Sequence, residues 1–269
     1  MRGQRLSFVL LLASALYHAS AAGVAFIAPS NLACASSSTC RTAAHLSPNM
    51  LMDKVPSLQS ADLVLASGSP RRKEILNDIL GLRVRVVAST FEEDLDKSTY
   101  TPQTYVQENA RLKAREVWQR LVAAGESPHL VIGGDTVVAH EGAILEKPKD
   151  KQHAVHMLHA LSGKSHTVFS GVALIFRKVG GAGDEIVEET FCEETGVTFA
   201  PLSAPLIEAY VDSGEPMDKA GAYGIQSAGG QFVSGISGCF YNVMGFPMHA
   251  FCVRLSAAID EGRFAVPEA

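Results

Sequence analysis

The sequence predicts a mixed α/β domain over residues 61–262, and three observations point to it. From Ala61 onward, short apolar or alternating runs take turns with longer runs of helical period. Hairpin-like connections at Glu141-Gly142 and at the glycine-rich turn Gly180 to Gly183 interrupt that alternation, so some neighbouring strands must run antiparallel. No repeat at a fixed period runs through the chain.

The elements follow in order. DLVLAS, ending at Ser67, has the continuous apolar character of a buried strand. Ser69 stands at an N-cap position and Pro70 at the first helical position, so PRRKEILNDIL reads as a helix. RVRVVAS alternates with period two and reads as a strand, and the polar loop TFEEDLDKSTYT leads through Pro102 into a long helix. That helix carries Val106, Ala110, Lys113, Ala114, Val117, Trp118 and Leu121 on one side. LVIGGDTVVAHEGAILEKP reads as strand, hairpin and strand, and DKQHAVHMLHALSG as a helix closed by Gly163. HTVFSGVALIFRKV and EETFCEETGVTFA pair as two long strands, and SAPLIEAYVDSG makes a helix ending at Gly214. A glycine-rich stretch from Ser213 to Pro247 reads as a shaped loop, where binding groups concentrate, before a closing helix from Pro247 to Asp260.

The net charge is −5, but Met1 to Met52 hold three arginines and no acid, so the remainder sets 20 basic against 28 acidic side chains. That balance argues against a nucleic-acid surface and for a small anionic ligand met by a few local cations. The N-terminus has Arg2 and Arg5, an apolar run from Leu6 to Leu16, and small residues from Ala19 to Ala25. This is the pattern of a cleaved signal peptide over 1–25, the run being short for a membrane span. Residues 26–60 begin with a Ser-, Ala- and Thr-rich, acid-free segment holding Arg41, with transit-peptide composition. Together they resemble in composition a two-part leader, and the expectation is delivery to a plastid through the secretory pathway, with secretion or the cytoplasm as alternatives. No membrane association is expected of the mature domain, and residues 263–269 read as a tail. Cys34 and Cys40 fall in the leader; Cys192, Cys239 and Cys252 lack metal-type spacing and read as reduced, mostly buried residues.

No G-x-G-x-x-G or G-x-x-x-x-G-K-[ST] follows a strand, which removes the main support for dinucleotide-binding and P-loop readings. Four stretches carry candidate chemistry. In SGSPRR, the helix start, Arg71 and Arg72 form a cradle suited to phosphate oxygens, where a bare helix N-terminus would disfavour cations. In GGDTVV, Asp135 follows two glycines that let another group approach the backbone. In LEKP, Glu146 and Lys147 end a strand, while Lys113 faces inward from its helix. The glycine-rich loop adds Asp218, Lys219, Tyr223, Gln226 and Asn242.

Taken together, LASGSPRR, NARLKA, GGDTVV, LEKP, LSGKSHTVFSGV, GEPMDKAGAYGIQ and NVMGFP resemble, in order and spacing from Leu63 to Leu255, the Maf-like nucleoside triphosphate pyrophosphatases, once called septum formation inhibitors. The resemblance implies an elongated mixed-sheet α/β fold shared with inosine triphosphate pyrophosphatases, with a central cleft between two lobes. It implies hydrolysis of a nucleoside triphosphate to monophosphate and pyrophosphate with a divalent cation, Mg²⁺ or Mn²⁺. Carried over, Asp135 matches the catalytic proton acceptor. Ser69, Arg71, Arg72, Lys113 and Lys147 match the phosphate-binding cluster, to which Lys219 is added as a candidate. Glu93, in FEE, resembles a second acid beside the metal with Asp135. Arg71, Thr136 and Gln226 match the positions that separate the dTTP/UTP subgroup from the 7-methyl-GTP subgroup, so dTTP and UTP are favoured. A glutamine amide both donates and accepts, as the imide edge of thymine or uracil requires. The chain departs from the family pattern in GGDT, where GADT is common, and in Ser170. The chemistry agrees with these roles: in-line water attack needs cations, a metal and a carboxylate, and no Ser or Cys nucleophile. A 7-methyl-GTP or broad-specificity pyrophosphatase is the near alternative, and a non-catalytic nucleotide-binding regulator of cell division the distant one. A homodimer is a family expectation.

Overall fold

The computed structural model describes residues 50–180 and 185–267. The signal-peptide expectation, most of the expected leader, the tip of the glycine-rich turn and the last two residues lie outside the described residues. The first elements among the described residues are a 3₁₀ turn, Leu51–Asp53, and a short helix α1, Val55–Leu58. Leu51 and Leu58 are buried in the main core, as is Phe264 at the other end, so the core extends past the boundaries drawn at 61 and 262. Composition hid this because single apolar residues, not runs, make those contacts.

Strand β1, Leu63–Leu65, is wholly buried and leads into α2, Pro70–Glu74. Ser69 occupies the N-cap with extended backbone, but its hydroxyl caps nothing. The expected single helix over residues 70–80 continues as one turn of π-helix, Ile75–Ile79. After β2, Val84–Val86, the polar loop includes a 3₁₀ turn, Lys97–Thr99, and delivers the chain to α3, Pro102–Ala123. Thr101 and Thr104 close the start of α3 as a reciprocal capping pair. Strands β3, Leu130–His140, and β4, Ala143–Leu145, join through Glu141 (φ 48°) and Gly142 (φ 80°). Two left-handed residues in succession make the tight hairpin that the Glu-Gly pair predicts. There follow α4, Lys151–Leu161; β5, Ser165–Arg177; β6, Ile186–Phe199; and α5, Ala204–Asp212. The glycine-rich region is a series of 3₁₀ turns ending in β7, Val233–Ser237. A short helix α6, Phe240–Met244, not anticipated, precedes α7, Met248–Asp260.

The described strands form one seven-stranded mixed sheet in the order β2-β1-β3-β5-β6-β7, with β4 also on β3. β1 runs parallel to β2 and β3, and the remaining pairs are antiparallel. One face carries α3, whose Ala110, Ala114 and Val117 pack on Val64 and Val131. The other face carries the larger core, which joins α4, α5 and α7 to β1, β3 and β5.

The register along β3 creates the cleft. β1 pairs with Leu130 to Ile132 and β4 with Val138 to His140, both on the edge opposite β5. Among the described residues, positions 133–137 therefore have no strand neighbour on that edge. The gap lies beyond the carboxyl end of β1, where open α/β sheets bind ligands.

Candidate active site

A cleft of about 540 Å³ occupies this gap. It is lined by five basic side chains, Arg71, Arg72, Lys113, Lys147 and Lys219, and by four acidic ones, Glu93, Asp135, Glu146 and Asp218. Ser69, Thr136, Tyr223 and Gln226 line it too. Of the candidates drawn from the sequence only Asn242 does not, its amide being buried and bound to the Val168 carbonyl and the Thr195 hydroxyl.

The alternation of β3 splits the site between the two faces of the sheet. On the α3 face, a Cβ added at Gly133 would lie 2.1 Å from the Ala110 carbonyl oxygen. The helix backbone therefore rests directly on the strand, and this close approach brings Lys113 to Asp135. Lys113 Nζ donates to Asp135 Oδ1 at 2.9 Å and pairs with Glu93 Oε2 at 2.7 Å. Lys113 and Asp135 are both buried.

On the opposite face, Gly134 lies under the Arg72 guanidinium, its added Cβ being 3.0 Å from Nε. Arg72 is buried and donates to the Gly245 carbonyl (3.0 Å), the Ser67 hydroxyl (2.8 Å) and the Thr136 hydroxyl (3.0 Å). Burial lowers the guanidinium's proton affinity, and the nearby Asp135 carboxylate opposes that effect. The Thr136 hydroxyl also shares a hydrogen bond with Ser170 (2.9 Å), and Ser170 in turn donates to the Asn242 carbonyl. Thr136, assigned by resemblance to base selection, is thus committed to fixing Arg72.

Arg71 differs from its neighbour. Its Nη1 donates to Asp218 Oδ2 at 2.7 Å and its Nη2 to the Asp218 carbonyl at 3.0 Å. Lys219 Nζ reaches the other Asp218 oxygen at 2.7 Å. Gln226 is exposed at the cleft, and Lys147 has no ion-pair partner among the described residues.

The polar loop is strapped over the α3 side. Ser89 and Thr90 bind the Glu116 carboxylate of α3, Glu93 reaches Lys113, and Lys97 pairs with Glu146 at 2.6 Å. Burial would raise the Glu116 carboxyl, but Arg120, Ser89 and Thr90 outweigh it and hold it at about 2. Glu146 also accepts from the Tyr105 hydroxyl at 2.7 Å, and its carbonyl accepts from the Gly221 N–H. Glu146, named with Lys147 in the LEKP stretch, thus joins the loop, α3 and the glycine-rich region. Of the cysteines, Cys252 is buried while Cys192 and Cys239 are only partly so, which corrects the expectation that most are buried.

The chemistry available is that of an anion site with a carboxylate at its centre. Among the described residues, no group of three or more His, Cys, Asp or Glu side chains is arranged for a metal. Asp135 and Glu93 are nevertheless gathered by one ammonium, which shows that a single cation can meet both carboxylates. Two hard oxygen donors supplemented by substrate phosphate oxygens suit Mg²⁺.

Comparison with known proteins adds the following. The family described as Maf-like protein matches residues 62–258. A human protein named "Probable bifunctional dTTP/UTP pyrophosphatase/methyltransferase protein" is 50% identical over 195 residues, which are 72% of this chain and 31% of the human one. The chain thus corresponds to under a third of that relative. A Clostridium perfringens dTTP/UTP pyrophosphatase is 47% identical over 187 residues, covering 70% of this chain and 92% of that protein. A structure of the Staphylococcus aureus Ham1 protein aligns at a TM-score of 0.37 and 15% identity, over 75% of this chain and 98% of that one.

Proposed function

The chain belongs to the Maf-like protein family, and on that premise we propose that it hydrolyses nucleoside triphosphates, with dTTP and UTP favoured, to the monophosphate and pyrophosphate. The observation that carries this reading is the buried Asp135–Lys113 pair set in the strand gap, with Glu93 on the same ammonium and Arg72 on the opposite face. The curated relatives named dTTP/UTP pyrophosphatase support the substrate class.

In this mechanism a water attacks the α-phosphorus, the bond to the bridging oxygen breaks, and pyrophosphate leaves with the electron pair. Asp135 Oδ1 is held by Lys113, and Oδ2, free of protein hydrogen bonds among the described residues, takes the water proton. Lys113, Lys147 and Arg72 offset charge on the phosphate oxygens as the bond breaks. With five basic against four acidic side chains, the cleft alone is nearly neutral toward a highly charged triphosphate. A divalent cation held by Asp135 and Glu93 would supply the missing positive charge and polarise the phosphate oxygens. Buried and held by three hydrogen bonds, Arg72 is a pre-organised part of the site.

The test is pyrophosphate release from dTTP, UTP, CTP and 7-methyl-GTP with Mg²⁺ or Mn²⁺. Wild type is expected to turn over dTTP and UTP best, and Asp135→Asn to lower kcat by ~10²–10⁴-fold, the usual weight of a general base. A wild type that binds nucleotide yet releases no pyrophosphate from any of the four would refute the enzyme and favour a nucleotide-binding regulator. Preference for 7-methyl-GTP would refute the pyrimidine assignment alone.

A further inference from the structure

Arg71 and Arg72 are adjacent in sequence and line the same cleft, yet their surroundings differ in charge. Arg72 binds two hydroxyls and a carbonyl and, among the described residues, has no carboxylate at ion-pair distance. Its full charge remains available to an anionic ligand. Arg71 places both terminal nitrogens on a single residue 147 positions away, one on the Asp218 carboxylate and one on the Asp218 carbonyl. Its charge is largely compensated before any ligand enters.

Asp218 is itself held firmly. Its second carboxylate oxygen takes Lys219, whose ammonium also donates to the Glu215 carbonyl. The Glu215 carboxylate accepts from the Tyr210 and Ser227 hydroxyls and from the N–H groups of Ala228 and Gly229. One acid therefore closes residues 215–229 into a ring that contains Gln226. Burial alone would raise the Asp218 carboxyl, but Lys219 and Arg71 hold it at about 2. A carboxylate facing a triphosphate would be repulsive unless neutralised, and here the two cations that neutralise it are cleft residues themselves.

We infer that Asp218 is a positioning residue for base selection. By neutralising and aiming Arg71 from across the cleft, it turns that guanidinium into a directed hydrogen-bond donor for an uncharged pyrimidine edge, leaving phosphate binding to Arg72, Lys113 and Lys147. A compensated guanidinium gains little from a phosphate but keeps its remaining directed N–H donors, which is what reading a base edge demands. The Arg71–Asp218 contact also ties the start of α2 to the loop that presents Gln226, so Arg71 and Gln226 move together. This inference rests on the proposed pyrimidine nucleotide pyrophosphatase activity.

The experiment measures kcat and KM for dTTP, UTP and GTP with wild type, Asp218→Asn, Asp218→Glu, Arg71→Lys and the double variant Arg71→Lys/Asp218→Asn. Thermal unfolding of each accompanies the kinetics. Asp218→Asn is expected to raise KM for dTTP and UTP by ~10-fold with kcat changed by less than about threefold, while KM for GTP stays level or falls as the uncompensated Arg71 turns toward phosphate. The pyrimidine-over-purine ratio of kcat/KM thus drops ~10-fold, and Asp218→Glu restores part of it. In the Arg71→Lys background the further loss from Asp218→Asn should be small, because the two act as one unit. A ratio unchanged in Asp218→Asn, an equal loss for all three nucleotides, or full additivity with Arg71→Lys would overturn the inference. If Asp218→Asn does not fold, Arg71→Lys decides, since a lysine cannot bridge Asp218 at two points and must lower the ratio. Failure of the underlying activity looks different: wild type then releases no pyrophosphate from any nucleotide.

Discussion

Arg72 shows how a charged residue is made part of the fold without losing its charge for function. Three of its nitrogens reach three acceptors on three separate segments, Ser67 before α2, Thr136 on β3 and Gly245 after α6. A lysine ammonium cannot meet that planar arrangement. Arg72→Lys is expected to lose about 1–3 kcal/mol of stability through buried acceptors left unpaired, and to lower kcat/KM for every nucleotide alike. Denaturant unfolding and the nucleotide panel check the two halves. At this scale Asp135, Lys113 and the two arginines were legible because each stands in a distinctive local stretch. The Ser69 hydroxyl, which caps nothing, and the Thr136 hydroxyl, which is engaged by Arg72, were not, because side-chain partners are invisible in a linear pattern.

The two glycines before Asp135 do opposite jobs on the two faces of β3. At Gly133 an added Cβ would meet α3 backbone at 2.1 Å, and at Gly134 it would meet a flexible arginine side chain at 3.0 Å. Backbone cannot yield cheaply, whereas an arginine shifts by a few tenths of an ångström. Gly133→Ala is therefore expected to cost about 1–3 kcal/mol, the range of core overpacking, and to separate Lys113 from Asp135. Gly134→Ala should cost less. Denaturant midpoints of the two variants, compared under one condition, test the contrast. Gly171 repeats the device on β5, directly opposite Asp135, where an added Cβ would lie 2.3 Å from the Val106 carbonyl. The sequence showed that something approaches β3 closely. It could not show that a helix sits on one side and a guanidinium on the other.

For the molecule as a unit, the buried His166 sets a pH limit. Its Nε2 shares a hydrogen bond with the Tyr223 hydroxyl at 2.8 Å, its ring packs edge-on against Phe199 and Tyr223, and its Nδ1 has no hydrogen-bond partner among the described residues. Burial, helped by His140, pushes its pKa down to about 4 from the ordinary 6.5. Between those values the unfolded chain binds a proton that the folded chain does not, so stability falls as pH drops from 6.5 toward 4. The loss is about 3 kcal/mol at most, at 1.36 kcal/mol per pH unit. Urea unfolding across that window should show the decline, and His166→Gln should flatten it. A slope that is the same in both proteins would remove His166 as its cause. Tyr223 lines the cleft, so acid loosens the ligand site along with the core.

The sequence by itself determined the order of the main helices and strands apart from α6, the inward face of α3, the hairpin at Glu141-Gly142, and most of the charged residues that border the cleft. These are local properties: apolar periodicity decides which face is buried, and capping and turn residues decide where elements start and stop. Only the tertiary structure decided that β1 and β4 share one edge of β3 and leave a gap between them, that Glu93 and Asp135 meet on one ammonium, and that Asp218 neutralises Arg71 but not Arg72. Those outcomes depend on strand order, register and the pairing of groups from 20 to 147 residues apart, and such pairings are set by packing the whole sheet rather than by any segment of it.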